Sequence, residues 1–268
     1  MTLDFLGIAR EPVYSPGKVD ADRAILDAVA ARLATAHRVR VIGAEEPLPE
    51  VAAPTRVFAM CQGPAALAAL ARWETAGVRV VNSAMAIANT QRARMLPAFE
   101  RQRVAHPPSC LLRTDDPDAL PAWVADGAWL KRGDVHAIEP DDVVRVDGPA
   151  AARAALAAMH ERGIATALAQ RHIEGAVIKF YAVRGRFFSA SVAGSAVRLA
   201  ADEETALRAL AEAGAAALGL EVFGGDGVRD RHGDLWLIDL NDWPSYAPCR
   251  FAACEAIASY LTALTGST

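Results

Sequence analysis

The sequence predicts an α/β protein in two parts: a small parallel sheet with covering helices over residues 1–81, then a larger mixed unit over residues 82–268. Three observations carry this prediction. Up to about residue 81, short apolar runs alternate with alanine-rich helical stretches across short connections, the pattern of parallel strands with crossover helices. Beyond Asn82 that alternation stops, and from residue 166 strands follow one another. A chain of 268 residues with 53% hydrophobic content can bury a sizeable core, and at about 150 residues per domain it suits roughly two domains.

In chain order, residues 2–8 read as a buried strand, and residues 20–33 as a helix with Ile25, Val29 and Leu33 on one face and Asp20 as its cap. Strands follow at 38–42, 55–60 and 78–81, with a helix at 63–75. Ligands of such sheets sit beyond the carboxyl ends of the strands, which places loops 9–19 and 61–64 at a binding edge. No GxGxxG follows the first strand, so a dinucleotide fold has little support. Residues 83–102 read as one helix ended by the His106-Pro107-Pro108 turn. Next come strand 109–112, helix 117–124, strands 129–131 and 142–146, and helix 148–162. Strands at 166–173, 177–183 and 186–193 follow, with Arg184-Gly185 as a hairpin turn. An amphipathic helix at 202–218 presents Leu207, Leu210, Gly214 and Leu218. A last strand pair and a helix at 248–264 close the chain, and a division into lobes is expected near Ala169, giving about 82–168 and 169–268.

The composition excludes several classes. Net charge is −4 without blocks of one sign, which argues against a nucleic-acid or membrane-surface partner. No apolar run approaches the roughly 20 residues of a membrane span, and no secretory signal opens the chain. A soluble, cytoplasmic protein is expected. The four cysteines, Cys61, Cys110, Cys249 and Cys254, have no CxxC spacing and read as ordinary buried thiols in a reducing compartment. Of the 28 basic residues only Lys18, Lys131 and Lys179 are lysines, which directs attention to each, because lysine and arginine are not equivalent at a phosphate or acyl centre.

The densest chemistry lies in the last strand pair, LEVFGGDGVRDRHGDLWLIDLNDWPSY. A tight turn centred on His232-Gly233 sets Asp226 opposite Asp239, and directly opposed residues share a face of the sheet. Asn241, two residues on, shares that face by alternation. Two carboxylates and an amide oxygen suit a hard cation such as magnesium, which completes its shell with water and phosphate oxygens. Flanked by Leu235, Leu237, Ile238 and Leu240, the two anions repel and lose hydration unless a metal or proton intervenes, so removing one charge is expected to spare the fold. The competing reading is a pair of solvated hairpin aspartates. Lys131 ends the strand Trp129-Leu130-Lys131 and Lys179 lies inside AVIKFYAV, so each needs an anionic partner. Triphosphate suits both; so does a structural salt bridge.

The order Asn82-Ser83, a basic helix, a strand ending in Lys131, AQRHIEG, a strand carrying Lys179, then D…DLN resembles the ATP-grasp superfamily, in particular glutathione synthetase-like carboxylate–amine ligases. The resemblance spans Asn82 to about Ala253. The N-terminal α/β part resembles the pre-ATP-grasp domain that precedes two ATP-grasp lobes. IDLNDWPSY is also similar to the metal-binding end of inositol trisphosphate kinases. The resemblance implies ATP and Mg2+, or Mn2+ in its place, as cofactors, with Asp226, Asp239 and Asn241 as metal ligands. It implies Lys131 on the α- and β-phosphates, Gln170, Arg171, His172 and Ile173 around adenine, and Lys179 facing the reacting phosphoryl or acyl group. Three departures stand out: the family's first nucleotide-binding lysine is most nearly matched by Arg92, Val177 replaces the acidic ribose contact, and GDVHAIEPDD replaces the glycine-rich flap, with only Gly133 and with Asp134 and His136 unassigned. His136 reads as a flap or surface histidine rather than a catalytic base.

The implied reaction is phosphorylation of a carboxylate to an acyl phosphate, then attack by an amine. Its partners are small-molecule carboxylates and amines, or a peptide, and a homo-oligomer is compatible with it. The alternatives are a kinase acting on a hydroxyl and a nucleotide-binding protein without catalysis. For substrate recognition, the loop REPVYSPGKVDAD offers Arg10, Tyr14, Ser15 and Lys18, or is simply a Pro-Gly turn. Arg184 and Arg198 are candidate carboxylate partners, and Arg198 joins Lys179 as a candidate catalytic residue.

Overall fold

Four parallel strands, β1 (Phe5–Ala9), β2 (Val39–Gly43), β3 (Arg56–Ala59) and β4 (Arg79–Val81), form the first sheet in the order β2-β1-β3-β4. The computed structural model describes residues 3–195 and 199–264. Apolar residues alternate along β1 so that Phe5 and Ala9 enter one core and Leu6 and Ile8 another. Helix α1 (Val19–Leu33) covers the first face with Ile25, Leu26, Val29 and Leu33, and α2 (Pro64–Thr75) covers the second with Ala66, Ala69, Leu70 and Trp73. Asp20 is not the α1 cap. The helix starts at Val19 after Lys18, and Asp20 stands in the first turn, where a negative charge suits the helix dipole.

Residues 83–102, expected as one helix, form two: α3 (Ala84–Asn89), capped by Ser83 Oγ accepting from Ala86 N, and α4 (Arg92–Gln102). The Thr90 hydroxyl donates to the Ile87 carbonyl and Gln91 is extended, so the chain turns and Arg92 opens a new helix. The second sheet is antiparallel, β5 (Ser109–Arg113), β8 (Thr166–Arg171), β6 (Ala128–Arg132) and β7 (Val143–Val146) in that spatial order, backed by α5 (Pro149–Glu161). The helix expected at 117–124 is only a 3-10 turn at Ala122–Asp126, because Pro121 has no N–H to continue a helix from Pro117. β8 runs through position 169, where the lobe division was expected, and the chain leaves this sheet after Arg171.

The third sheet is antiparallel in the order β10-β9-β11-β12, with β9 (Gly175–Val183), β10 (Phe187–Val192), β11 (Val222–Asp230) and β12 (Leu235–Asp242). Helix α6 (Ala201–Leu218) packs Leu207, Ala211, Gly214, Ala215 and Leu218 against it. Helix α7 (Arg250–Ala263) lies beside α1, so that Phe5, Phe58, Val183, Val222, Trp243, Tyr246 and Ile257 share one core between the first and third sheets. Buried Asn82 joins them as well: its Oδ1 accepts from Glu221 N and Val222 N, and its Nδ2 donates to the Val222 carbonyl. All four cysteines are free thiols, Cys61 and Cys254 buried and the other two half-buried. Among the described residues no helix is long and apolar enough to cross a membrane.

Candidate active site

β11 and β12 are joined by the four residues Arg231, His232, Gly233 and Asp234; Asp230 N donates to the Asp234 carbonyl, and Gly233 stands at φ +90°, a conformation that glycine adopts without strain. The turn is therefore centred on His232, half a residue earlier than expected, and Arg229 pairs with Leu235 and Gly227 with Leu237. Continued unchanged, that register would oppose Asp226 to Ile238. A β-bulge at this point takes Ile238 out of the ladder and restores the pairing of Asp226 with Asp239. Gly225 permits the close approach, since a Cβ there would stand 2.3 Å from the Asp239 carbonyl oxygen.

Asp226 also pairs in register with Lys179 on β9, so three strands carry Lys179, Asp226 and Asp239 in a row. Lys179 Nζ donates to Asp226 Oδ1 at 2.9 Å. Burial pushes the Lys179 pKa down, but the bond and charge of Asp226 outweigh it and the net shift is upward. Asp239 is held from its other side by Arg92, whose Nη2 donates to Oδ2 at 2.7 Å. Burial raises the Asp239 pKa, and the charges of Arg92 and Lys131 with the Arg92 hydrogen bond more than reverse this, so the carboxyl stays below its usual range. The facing carboxylates, expected to need a metal or a proton between them, are instead already paired with an arginine and a lysine. Asn241 lines the same cleft.

That cleft, of about 570 Å3, is bounded by residues of β6 and β8 from the second sheet and of β9, β11 and β12 from the third. Along β9 the alternate residues Gly175, Val177, Lys179 and Tyr181 face it. Lys131 on β6 is buried and donates to Gln170 Oε1 at 2.8 Å and to the Ile238 carbonyl at 3.2 Å. Burial lowers its pKa to about 8, against the opposing pull of Asp239. Gln170, Arg171, His172 and Ile173 line the neighbouring wall. Trp129, two residues before Lys131 and thus on the same strand face, donates its Nε1–H to His172 Nδ1 and completes this wall. Sequence reasoning passed over Trp129, although strand alternation would have found it.

The segment between β6 and β7 that stands where a glycine-rich flap was missing is tied down by Asp142. This fully buried carboxylate accepts from Ile138 N and Glu139 N and from Arg132 and Arg162. His136, on that segment, lines the cleft with Nε2 3.2 Å from the Thr90 hydroxyl, and burial lowers its pKa to about 4, so it is neutral at neutral pH. Asp134 instead pairs with Arg132.

The far end of the cleft comes from the first sheet. Arg10 Nε donates to the Met60 carbonyl, Nη1 to Asp22, and Nη2 to the carbonyls of Asp242 and Trp243. Arg10 therefore joins the first and third sheets. Tyr14, Ser15, Lys18 and Gln62 line the cleft here too, as the loops expected at the binding edge should. Asp242 was not singled out in the sequence, because alternation predicts it on the face opposite Asn241. Arg184 is spent on the Leu220 carbonyl, and Arg198 lies outside the described residues.

Around the charge row, among the described residues, Arg92, Lys131 and Lys179 face the two carboxylates Asp226 and Asp239, and buried Arg92 Nε has no hydrogen-bond partner. The cluster is one negative charge short, which fits a polyphosphate. Among the described residues no three His, Cys, Asp or Glu side chains gather as a metal cage. Two carboxylates and an amide fit Mg2+ that shares its shell with phosphate oxygens.

Solved structures follow the same chain path over almost its full length. D-alanyl-alanine synthetase A from Vibrio cholerae matches with a TM-score of 0.74 at 12% identity, covering 100% of both chains. The chain has the ATP-grasp fold. The ATP-grasp ligase PsnB, complexed with a precursor peptide and AMPPNP, matches with a TM-score of 0.67 at 18% identity over 99% of each chain. A RimK domain ATP-grasp protein from Sphaerobacter thermophilus matches with a TM-score of 0.68 at 20% identity over 95% of this chain and 98% of its own. No family model and no curated protein sequence matches. In the ATP-grasp fold of this chain the cleft between the second and third sheets gathers Arg92, Lys131, residues 170–173, Lys179, Asp226, Asp239 and Asn241.

Proposed function

We propose that this protein is an ATP-dependent, ADP-forming ligase that joins a carboxylate to an amine through an acyl phosphate. One observation carries the reading: Lys179, Asp226, Asp239 and Arg92 form a linked charge row, with buried Lys131 beside it, in a single cleft. In this reading residues 170–173 and Trp129 receive adenine, and Lys131 and Arg92 take the phosphate oxygens. Asp226, Asp239 and Asn241 hold Mg2+ or Mn2+. Such an ion, when bound, neutralises charge on the transferring phosphoryl group.

The first substrate's carboxylate oxygen bonds to the γ-phosphorus as the bond to the β,γ-bridging oxygen breaks, and ADP departs with that electron pair. The amine nitrogen then bonds to the acyl carbon, the C–O bond to phosphate breaks, and the nitrogen gives up a proton. Lys179 steadies the charge on the group in transit, with its ammonium shared between Asp226 and that group. Arg198 remains a proposed carboxylate partner on the strength of the sequence. The proposed division is a pre-ATP-grasp unit up to residue 81 followed by ATP-grasp lobes, and the free thiols suit a reducing, cytoplasmic setting.

The test is product analysis. With Mg-ATP, ADP and phosphate should appear together only when carboxylate and amine are both supplied, and hydroxylamine should convert the acyl phosphate to a hydroxamate. A stable phosphorylated alcohol with no free phosphate would assign the cleft to a kinase.

A further inference from the structure

The end of the cleft furthest from residues 170–173 is walled by the first sheet's loops, and its buried charges do not balance. Glu11, Asp22 and Asp242 are buried there and Arg10 is largely covered, three carboxylates against one guanidinium, while the Lys18 ammonium stays exposed at the rim. Two of the carboxylates are spent. Glu11 accepts from Gln62 N and Gly63 N at the start of α2, and Asp22 Oδ2 accepts from Ser15 Oγ at 2.6 Å and from Arg10 Nη1 at 3.1 Å. Asp242 is different. It is 1% exposed, Oδ1 accepts from Gln62 Nε2 at 2.7 Å, and among the described residues Oδ2 has no hydrogen-bond donor. The nearest cation, Arg10 Nη2, stands 3.9 Å from Oδ2 with its hydrogens directed to the carbonyls of Asp242 and Trp243.

A buried carboxylate with an unsatisfied oxygen is costly to maintain without a partner. Asp242, Gln62, Asp22 and Ser15 all line the cleft, next to the Asn241 end of the charge row. We infer that this end of the cleft is an ammonium subsite, in which Asp242, oriented by Gln62, receives a positively charged nitrogen of the substrate. The inference rests on the ligase reading and narrows it: the activated carboxylate belongs to a molecule that also carries an ammonium group, an amino acid or a peptide with a nearby amine, rather than to a simple organic acid. Guanidinium is a poorer fit, because its planar fork seeks two acceptors in one plane and Oδ1 is already engaged by Gln62.

The experiment uses the full-length protein with Mg-ATP and hydroxylamine and measures hydroxamate and ADP for matched pairs of carboxylates. Each pair is an amino acid and its des-amino counterpart: D- or L-alanine with propionate, glutamate with glutarate, β-alanine with propionate. The expected result is turnover of one or more amino acids and at least about 30-fold lower kcat/KM for the matching des-amino acid, the lower range for removing one partner of a buried charge pair. Asp242→Asn should lower kcat/KM for the amino acid by a similar factor with KM for ATP unchanged, and the gap between pair members should close. Gln62→Lys, which keeps Asp242 but supplies its own ammonium to it, should abolish the same preference and serves if Asp242→Asn folds poorly. Equal use of both members of each pair, or a preference that survives Gln62→Lys, overturns the subsite while leaving the ligase reading intact. No hydroxamate or ADP from any carboxylate of the panel overturns the ligase reading, and the subsite with it.

Discussion

Asp239→Asn removes one negative charge from a buried group whose cations are Arg92 and Lys131. From the sequence, with Asp226 the only visible neighbour, relief of repulsion is expected and the fold is spared. The structure reverses the sign. Arg92 is 5% exposed; among the described residues, apart from Asp239, it bonds to the Arg132 carbonyl alone, at 3.2 Å, and its Nε is unpartnered. Removing one member of a buried ion pair costs about 3–5 kcal/mol. The asparagine oxygen still accepts from Arg92, and this neutral bond returns about 1 kcal/mol. The net loss is then about 2–4 kcal/mol by these central values, or a fall in Tm on the order of 10 °C for a chain of this size. Denaturant unfolding at pH 7 of the wild type, Asp239→Asn, Arg92→Met and the double variant measures it, and the double variant should recover much of the loss. The acid dependence offers a second readout. A carboxyl held below its usual range contributes stability that is complete above the ordinary carboxylate pKa and is lost as pH falls through the folded value, so wild type and Asp239→Asn should converge in acid. An Asp239→Asn protein as stable as wild type at pH 7, or a double variant no better than the single, refutes this account of the charge row.

Mg-ATP should raise the Tm in a dose-dependent way by binding the native state, with about 2.7 kcal/mol of stabilisation at 100 times Kd, and Lys131→Ala should shrink the shift; no shift with ATP, ADP or GTP would remove the nucleotide reading. Asp142→Asn should destabilise the protein by about 2–4 kcal/mol, because four donors lose a charged acceptor in a fully buried site. For Asp142, burial raises the pKa but the two backbone N–H groups and Arg162 and Arg132 bring it to about 2, so its contribution, full above about pH 4, should fade as pH drops toward that value and be missing from the acid limb of the variant. Gly225→Ala should lower both stability, by about 1–3 kcal/mol, and phosphoryl transfer, since its Cβ would push on the Asp239 carbonyl; unchanged denaturant midpoint and activity would contradict that.

Much of this molecule is governed by local pattern, and local pattern is what a sequence displays. Alternation along β1 and β9, proline opening α2, the serine cap of α3 and a glycine that accepts positive φ at position 233 each act within a few residues. The facing of Asp226 and Asp239 was reachable in the same way, yet the route was not the expected one: the turn sits half a residue early and a bulge at Ile238 compensates, which no periodicity announces. The break between α3 and α4 was hidden because a helical pattern can continue through Thr90-Gln91, and only tertiary contacts select the turn there. The charges were least legible of all. Asp239 and Arg92 are 147 positions apart, Asp242 and Gln62 180, and Arg10 and the Trp243 carbonyl 233. Residue type and strand phase decided most of the side chains that could reach the cleft, though not Asp242, which phase puts on the face opposite Asn241. Which cation neutralises which carboxylate, and which carboxylate is left one donor short, was decided when three sheets closed around a common space, because Coulomb forces depend on distance and burial and not on order along the chain.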